Sequence, residues 1–236
     1  MNKSVLISIQ PKWCELIANG KKTVEVRKSR PKLDTPFKCY IYCTKPSKKH
    51  QTICGCMVLN DDELYRHPEQ GIKYGDSIAL MCCNSGEYSK DNFLNGKVIG
   101  HFVCDEILDY KLADVSTDVG IFYYYERYIT KKLFAVNSLE DCLTNDELLE
   151  YGNYKSLYGW HISELKIYDE PKELSEFNKP CDFNYDCFLC DRAVYDKKVI
   201  TDISGKITKV NNKFIACDDV ITRPPQSWCY VEELRE

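Results

Sequence analysis

Gly20-Lys21-Lys22-Thr23-Val24-Glu25-Val26-Arg27-Lys28 sets charged and apolar side chains in alternation directly after a short amphipathic segment. Successive side chains of an extended strand point to opposite faces. On that rule Thr23, Glu25 and Arg27 share one face, and Lys22, Val24 and Val26 share the other. A face carrying Thr, Glu and Arg is suited to a polar ligand, so the stretch reads as a site built on a strand.

Working outward, Ser4-Val5-Leu6-Ile7-Ser8-Ile9 is rich in β-branched residues and predicts a strand ahead of Pro11. Pro11 suits a first helical turn, Trp13, Leu16 and Ile17 recur at helical spacing, and Asn19-Gly20 supplies left-handed residues to end the helix. A strand over 22–27 follows and is broken at Ser29-Arg30-Pro31. Phe37 to Cys43 alternates as a further strand up to Pro46, and more strands are expected at 53–59, 77–82 and 97–107. Glycines in Gly96-Lys97-Val98-Ile99-Gly100 fit a sharply bent barrel strand. Between roughly 111 and 152 the pattern predicts a helical insertion, with capping-box signals at Ser138/Asp141 and Thr144/Glu147. Its aromatic cluster, Phe122, Tyr123, Tyr124, Tyr125 and Tyr128, reads as core rather than as a stacking platform. Strand character returns over 159–168, and a helical hint at Lys172 to Phe177 leads into a cysteine-bearing tail.

The 236 residues carry a net charge of −4 that hides a strong asymmetry. Residues 1–50 hold twelve Lys or Arg against Glu15, Glu25 and Asp34, a balance of +9 that leaves the remainder at −13. Such polarity favours an anionic ligand at one end, RNA or a nucleotide foremost, against the plainer reading of a solvated lysine-rich surface. No run of 18 apolar residues exists to span a bilayer, and the first residues carry too short an apolar region for a signal peptide, so a cytoplasmic protein with no membrane partner is expected. Most of the 14 cysteines then read as buried, reduced thiols.

The order of strand, helix ending in Asn-Gly, strand with Lys-Thr-x-Glu-x-Arg, and further strands resembles the ASCH family of the PUA-like superfamily. The residues that carry the resemblance are Ile9-Gln10-Pro11-Lys12-Trp13, Ile17, Gly20, Lys22-Thr23, Glu25, Arg27 and the later Lys97-Val98-Ile99-Gly100. Tyr158 to Ser163 and Arg223 to Val231 look like segments of uncharacterised ASCH-type proteins from phage and prophage. The resemblance implies an α+β fold, a PUA-like β-barrel with flanking helices; on this chain it is expected over residues 1–178 with the helical insertion at about 111–152, followed by a cysteine-containing extension over 179–236 whose last strand returns to the barrel. It also implies a cleft beside the first helix for RNA or a nucleotide-like ligand.

One branch of the family resembles an enzyme: in acetylcytidine amidohydrolases of this fold a Lys, a Thr two or three positions later and a distant Glu form the proposed catalytic group. Lys22 matches the Lys, but Glu25 stands in place of the Thr. A hydrolase acting on a modified nucleoside through Lys22 and Glu25 is therefore the alternative function, although ideal alternation puts the two on opposite faces. A lysine partly desolvated in a cleft can act as base or nucleophile, with a carboxylate to orient it. A phage-encoded inhibitor of a host protein partner is the third class.

For ligand binding the candidates are Lys12, Lys22, Arg27 and Lys28 on phosphate, Thr23 on the same face as Arg27, Trp13 or Trp160 as stacking surfaces, against a core role for Trp13, and His161 as a donor. Cys181, Cys187 and Cys190, with Cys217 downstream, are candidate ligands of a structural zinc, against the alternative of packed thiols; no other cofactor is required. Arg223-Pro224-Pro225-Gln226-Ser227 is stiffened by two prolines before a final strand over 228–231. Rigid polar loops suit recognition, and the competing reading is a loop that simply returns the chain.

Overall fold

The computed structural model describes residues 3–45, 55–59, 79–83, 94–115, 120–126, 133–136, 138–180, 193–201, 204, 207–217 and 219–234. In chain order the elements are β1 (Lys3–Ile9), α1 (Pro11–Ala18), β2 (Val24–Arg27), β3 (Phe37–Cys43), β4 (Gly55–Leu59), β5 (Ala79–Cys83), β6 (Val98–Cys104), β7 (Ile107–Val115), β8 (Gly120–Glu126) and β9 (Leu133–Ala135). There follow α2 (Ser138–Asp141), α3 (Asn145–Gly152), β10 (Leu157–His161), β11 (Ser163–Lys172), a 3-10 turn at Leu174–Glu176, β12 (Ala193–Thr201), β13 (Ile207–Cys217) and β14 (Trp228–Glu232).

Ten strands form two five-stranded sheets, one ordered β11-β6-β3-β1-β14 and the other β2-β10-β7-β8-β9, while β4-β5 and β12-β13 are separate two-stranded ladders. Among the described residues the sheets do not close into the expected barrel. The chain passes between them at two tight corners, β6 to β7 and β10 to β11. Bonds at the corners extend the ladders of each sheet up to the turn: His161 N donates to Glu106 O (3.0 Å) and Ile162 N to Thr23 O (2.8 Å) beside β10, and Ser163 Oγ donates to Val103 O (2.9 Å) between β11 and β6. The single strand expected over 159–168 is thus two strands belonging to different sheets.

β1 lies inside its sheet, parallel to β3 and antiparallel to β14. Six of its seven residues are buried, which explains a near-continuous apolar run rather than alternation. Its side chains pack with α1, Phe37, Phe102 and Trp160 in one core cluster, and the thiols of Cys14, Cys39, Cys43 and Cys104 are buried there as small hydrophobes. Burial pushes the Cys39 thiol well up and that of Cys104 to about 12, so both stay protonated. Gly100 on β6 marks a close approach of β11: a Cβ there would stand 2.3 Å from the Lys166 carbonyl oxygen.

The helical insertion expected over 111–152 is instead β7, β8 and β9 followed by two short helices. Tyr123 and Tyr125 are buried while Phe122 and Tyr124 are only half-buried, a period of two. The cluster is core: Tyr110 stacks on Tyr125 with centroids 5.8 Å apart, and both pack with Val24, Val26, Leu148 and Leu149. The Thr144/Glu147 capping box is present and starts α3. Tyr128 lies outside the described residues.

Candidate functional site

α1 begins with Pro11 at its first turn and ends where Gly20 takes φ 68°. That left-handed residue reverses the chain, and Lys21 N and Lys22 N both donate to Leu16 O (2.9 and 3.0 Å). Lys22 is therefore held by the helix end, ahead of β2, and strand alternation does not govern it. Its ammonium reaches 3.7 Å from Glu25 Oε2, so the two residues expected on opposite faces meet.

Glu25 Oε1 lies 2.9 Å from Arg27 Nη2, and the same nitrogen donates to Ser8 O at 2.7 Å. Lys22 Nζ also donates to the Asp141 carbonyl. The three charged residues are almost fully enclosed, with Lys22 2%, Glu25 6% and Arg27 8% exposed. Buried charges persist only when paired and hydrogen-bonded, and here two cations share one carboxylate and two backbone carbonyls. The floor they form keeps a net positive charge. Arg27 Nε adds a buried donor with no partner among the described residues.

These residues line an open cleft of about 1320 Å³. One side carries Trp13 from α1 and Leu143 and Tyr151 from the α2–α3 region; another carries the 3-10 turn; the segment from Thr222 to Ser227 forms a third wall. Lys28 and Lys45 add cations to the lining, and among the described residues Glu173 adds the one carboxylate besides Glu25.

Segment 140–142 buttresses the floor from behind. Thr23 N donates to Glu140 O (2.8 Å), and Cys142 Sγ donates to Lys21 O (3.3 Å). Asp141 is fully buried and its Oδ1 accepts from Leu143 N at 3.0 Å. Burial raises its carboxyl to about 6, against the opposing pull of that backbone bond and of Lys22. Burial likewise raises the Tyr151 hydroxyl, with Arg27 opposing and Glu25 adding to the shift, which places that hydroxyl within the field of the floor charges.

The remaining sequence candidates divide. Trp13 and Lys28 line the cleft; Lys12 does not, but its ammonium stands 4.5 Å over the Trp13 ring, and Lys22 stands 5.0 Å over it. Thr23 precedes β2 and is absent from the lining, so it does not share a ligand face with Glu25 and Arg27. Trp160, 0% exposed, is core rather than a stacking surface, because β10 is an interior strand and its indole packs edge-on against Phe37 and beside Trp228. His161 is absent from the cleft lining and pairs with Asp105, Nδ1 to Oδ1 at 2.7 Å. Burial raises the Asp105 carboxyl, but the His161 bond and charge outweigh it and the net shift is downward.

Cys181, Cys187 and Cys190 lie outside the described residues, and Cys217 ends β13. Sequence reasoning did not single out Tyr151, Tyr42, Ser8 or Lys45, which reach the cleft through tertiary packing with no motif to announce them.

No helix among the described residues is long and apolar enough to cross a membrane. No curated protein matches the sequence. The ASCH domain family matches residues 7–169, as a family and without singling out a branch, and this span takes in β2, α1 and both sheet corners; the chain belongs to the ASCH domain family.

Proposed function

We propose that this chain binds RNA through the cleft, with a nucleotide seated over the Lys22–Glu25–Arg27 floor. The observation that carries the reading is this buried, net-cationic triad at the base of an open cleft whose lining adds Lys28 and Lys45. A volume of about 1320 Å³ exceeds the roughly 300–1,000 Å³ usual for small-molecule pockets and leaves room for a nucleotide together with its strand neighbours. Membership of a family generally held to bind RNA supports the same reading.

Fluorescence anisotropy with labelled single-stranded RNA tests it. Two to four phosphate contacts give a slope of about −1.4 to −2.8 for log K against log salt, and Lys28→Ala makes that slope shallower by about one contact. A slope near zero removes the proposal.

A second reading has its own observation: Lys22 Nζ and Glu25 Oε2 lie 3.7 Å apart, which gives the hydrolase alternative the geometry that alternation denied it. Turnover of an acetylated cytidine or a related amide, abolished by Lys22→Ala, supports it; inactivity of the wild type across a broad amide panel excludes it. The zinc at Cys181, Cys187, Cys190 and Cys217 stands as a separate proposal, and less than about half an equivalent of zinc per purified chain removes it.

A further inference from the structure

The third wall of the cleft lies outside the matched family span. Thr222, Pro224, Pro225, Gln226 and Ser227 line it, whereas the family match ends at residue 169. This strap is fixed along its length. Ile221 N donates to Phe177 O (2.7 Å) at one end, and Trp228 opens β14, paired with β1, at the other. In between, Ser8 Oγ donates to Pro225 O (2.7 Å), Ser8 N donates to Ser227 O (2.9 Å), and Arg27 Nη1 donates to Ser227 Oγ (3.5 Å). Pro224 and Pro225 restrict the backbone further.

Gln226 sits between two residues that are both anchored to β1, and its side chain is exposed where the strap lines the cleft. Its primary amide offers a donor and an acceptor side by side, the pattern that pairs bidentately with the edge of a nucleobase. Across the same lining, Tyr151 from α3 presents an aromatic ring with the Lys28 ammonium 4.8 Å over it. Ring and cation together suit a base and its phosphate.

Resting on the RNA reading above, we infer that the cleft takes one unpaired base of a single strand, that Tyr151 stacks on it, and that Gln226 selects it by hydrogen bonding to its edge. The triad then serves every ligand alike, while the strap sets the preference of this chain. A rigid strap favours selection, since little ordering entropy is lost when its amide engages.

The test compares labelled rA, rC and rU 12-mers at fixed salt, with circular dichroism to confirm that each variant is folded. The wild type should prefer one oligomer by about 5- to 150-fold, the range of one good bidentate base contact. Gln226→Ala should bring the three within about threefold while keeping the salt slope. Gln226→Glu, which lacks the donor half, should move preference away from uracil, whose edge is mainly acceptor. Tyr151→Ala should weaken all three by about 5- to 150-fold and Tyr151→Phe should keep the wild-type values. Equal wild-type affinities, or an unchanged preference in Gln226→Ala, overturn the inference and leave RNA binding standing. Failure of the wild type to bind any of the three removes both.

Discussion

Glu25→Gln is the substitution that probes the floor most directly, because it removes one charge while keeping the side chain's shape. Glu25 faces Arg27 Nη2 at 2.9 Å and Lys22 Nζ at 3.7 Å. At an effective dielectric of 20 these separations correspond to gross attractions of about 6 and about 4.5 kcal/mol. Against them stands the desolvation of the carboxylate, several kcal/mol, which the amide avoids. The net cost of leaving two buried cations without their anion is about 3–5 kcal/mol. A protein of this size loses about 2–4 °C per kcal/mol, so the melting temperature should fall by roughly 6–20 °C in differential scanning calorimetry. A second arm removes one of the stranded cations: Glu25→Gln with Lys22→Met should recover part of the loss, since fewer unpaired charges remain buried. A fall below about 3 °C, equivalent to the 1 kcal/mol ceiling of an exposed ion pair, would refute the coupled buried triad. So would a double variant whose losses simply add.

Asp141→Asn tests the buttress through pH. The folded carboxyl titrates near 6, above its ordinary value of 3.8, so the folded state holds the proton more tightly and this group's stabilisation is complete below pH 3.8 and lost as pH rises through 6. The difference between wild type and variant should therefore fall by on the order of 3 kcal/mol between pH 4 and pH 7, read from urea unfolding at each pH, and a flat difference contradicts the burial argument. Gly100→Ala places a Cβ 2.3 Å from a backbone carbonyl of β11, which cannot swing aside as a side chain would. It should cost about 1–3 kcal/mol by urea unfolding, and an unchanged midpoint would show that β6 and β11 separate freely. Thr144→Ala removes the capping box of α3, with a loss of about 0.5–2 kcal/mol that Thr144→Ser should largely restore.

Which parts of this molecule could be read from the chain follows from how local each determinant is. Pro11 and Gly20 act on their own backbone, so both ends of α1 were legible. So was the capping box at Thr144, whose partner is three residues away. The segment 120–126 was misread because five adjacent large residues mask a period of two: Phe122 and Tyr124 are only half-buried, yet nothing in their chemistry distinguishes them from the buried Tyr123 and Tyr125. Trp160 and His161 show the complementary failure. Alternation puts them on opposite sides of β10, but that Trp160 is sealed in the core and His161 meets Asp105 instead of the cleft depends on β10 lying between β2 and β7 and on the chain changing sheets at Ile162.

Lys22 shows most clearly where local rules stop. Counted as a strand residue it belongs with Val24 and Val26 and opposite Glu25. Its position is set instead by the Leu16 carbonyl, which accepts from both Lys21 N and Lys22 N, and by the Asp141 carbonyl 119 residues away, which receives its ammonium. The helix end therefore delivers a cation to a carboxylate on the following strand, something neither element's own period encodes. Segment 140–142 holds that arrangement from one side and the strap through Ser227 holds Arg27 from the other. The motif places the charges within reach of one another, and distant parts of the chain fix the geometry in which they meet.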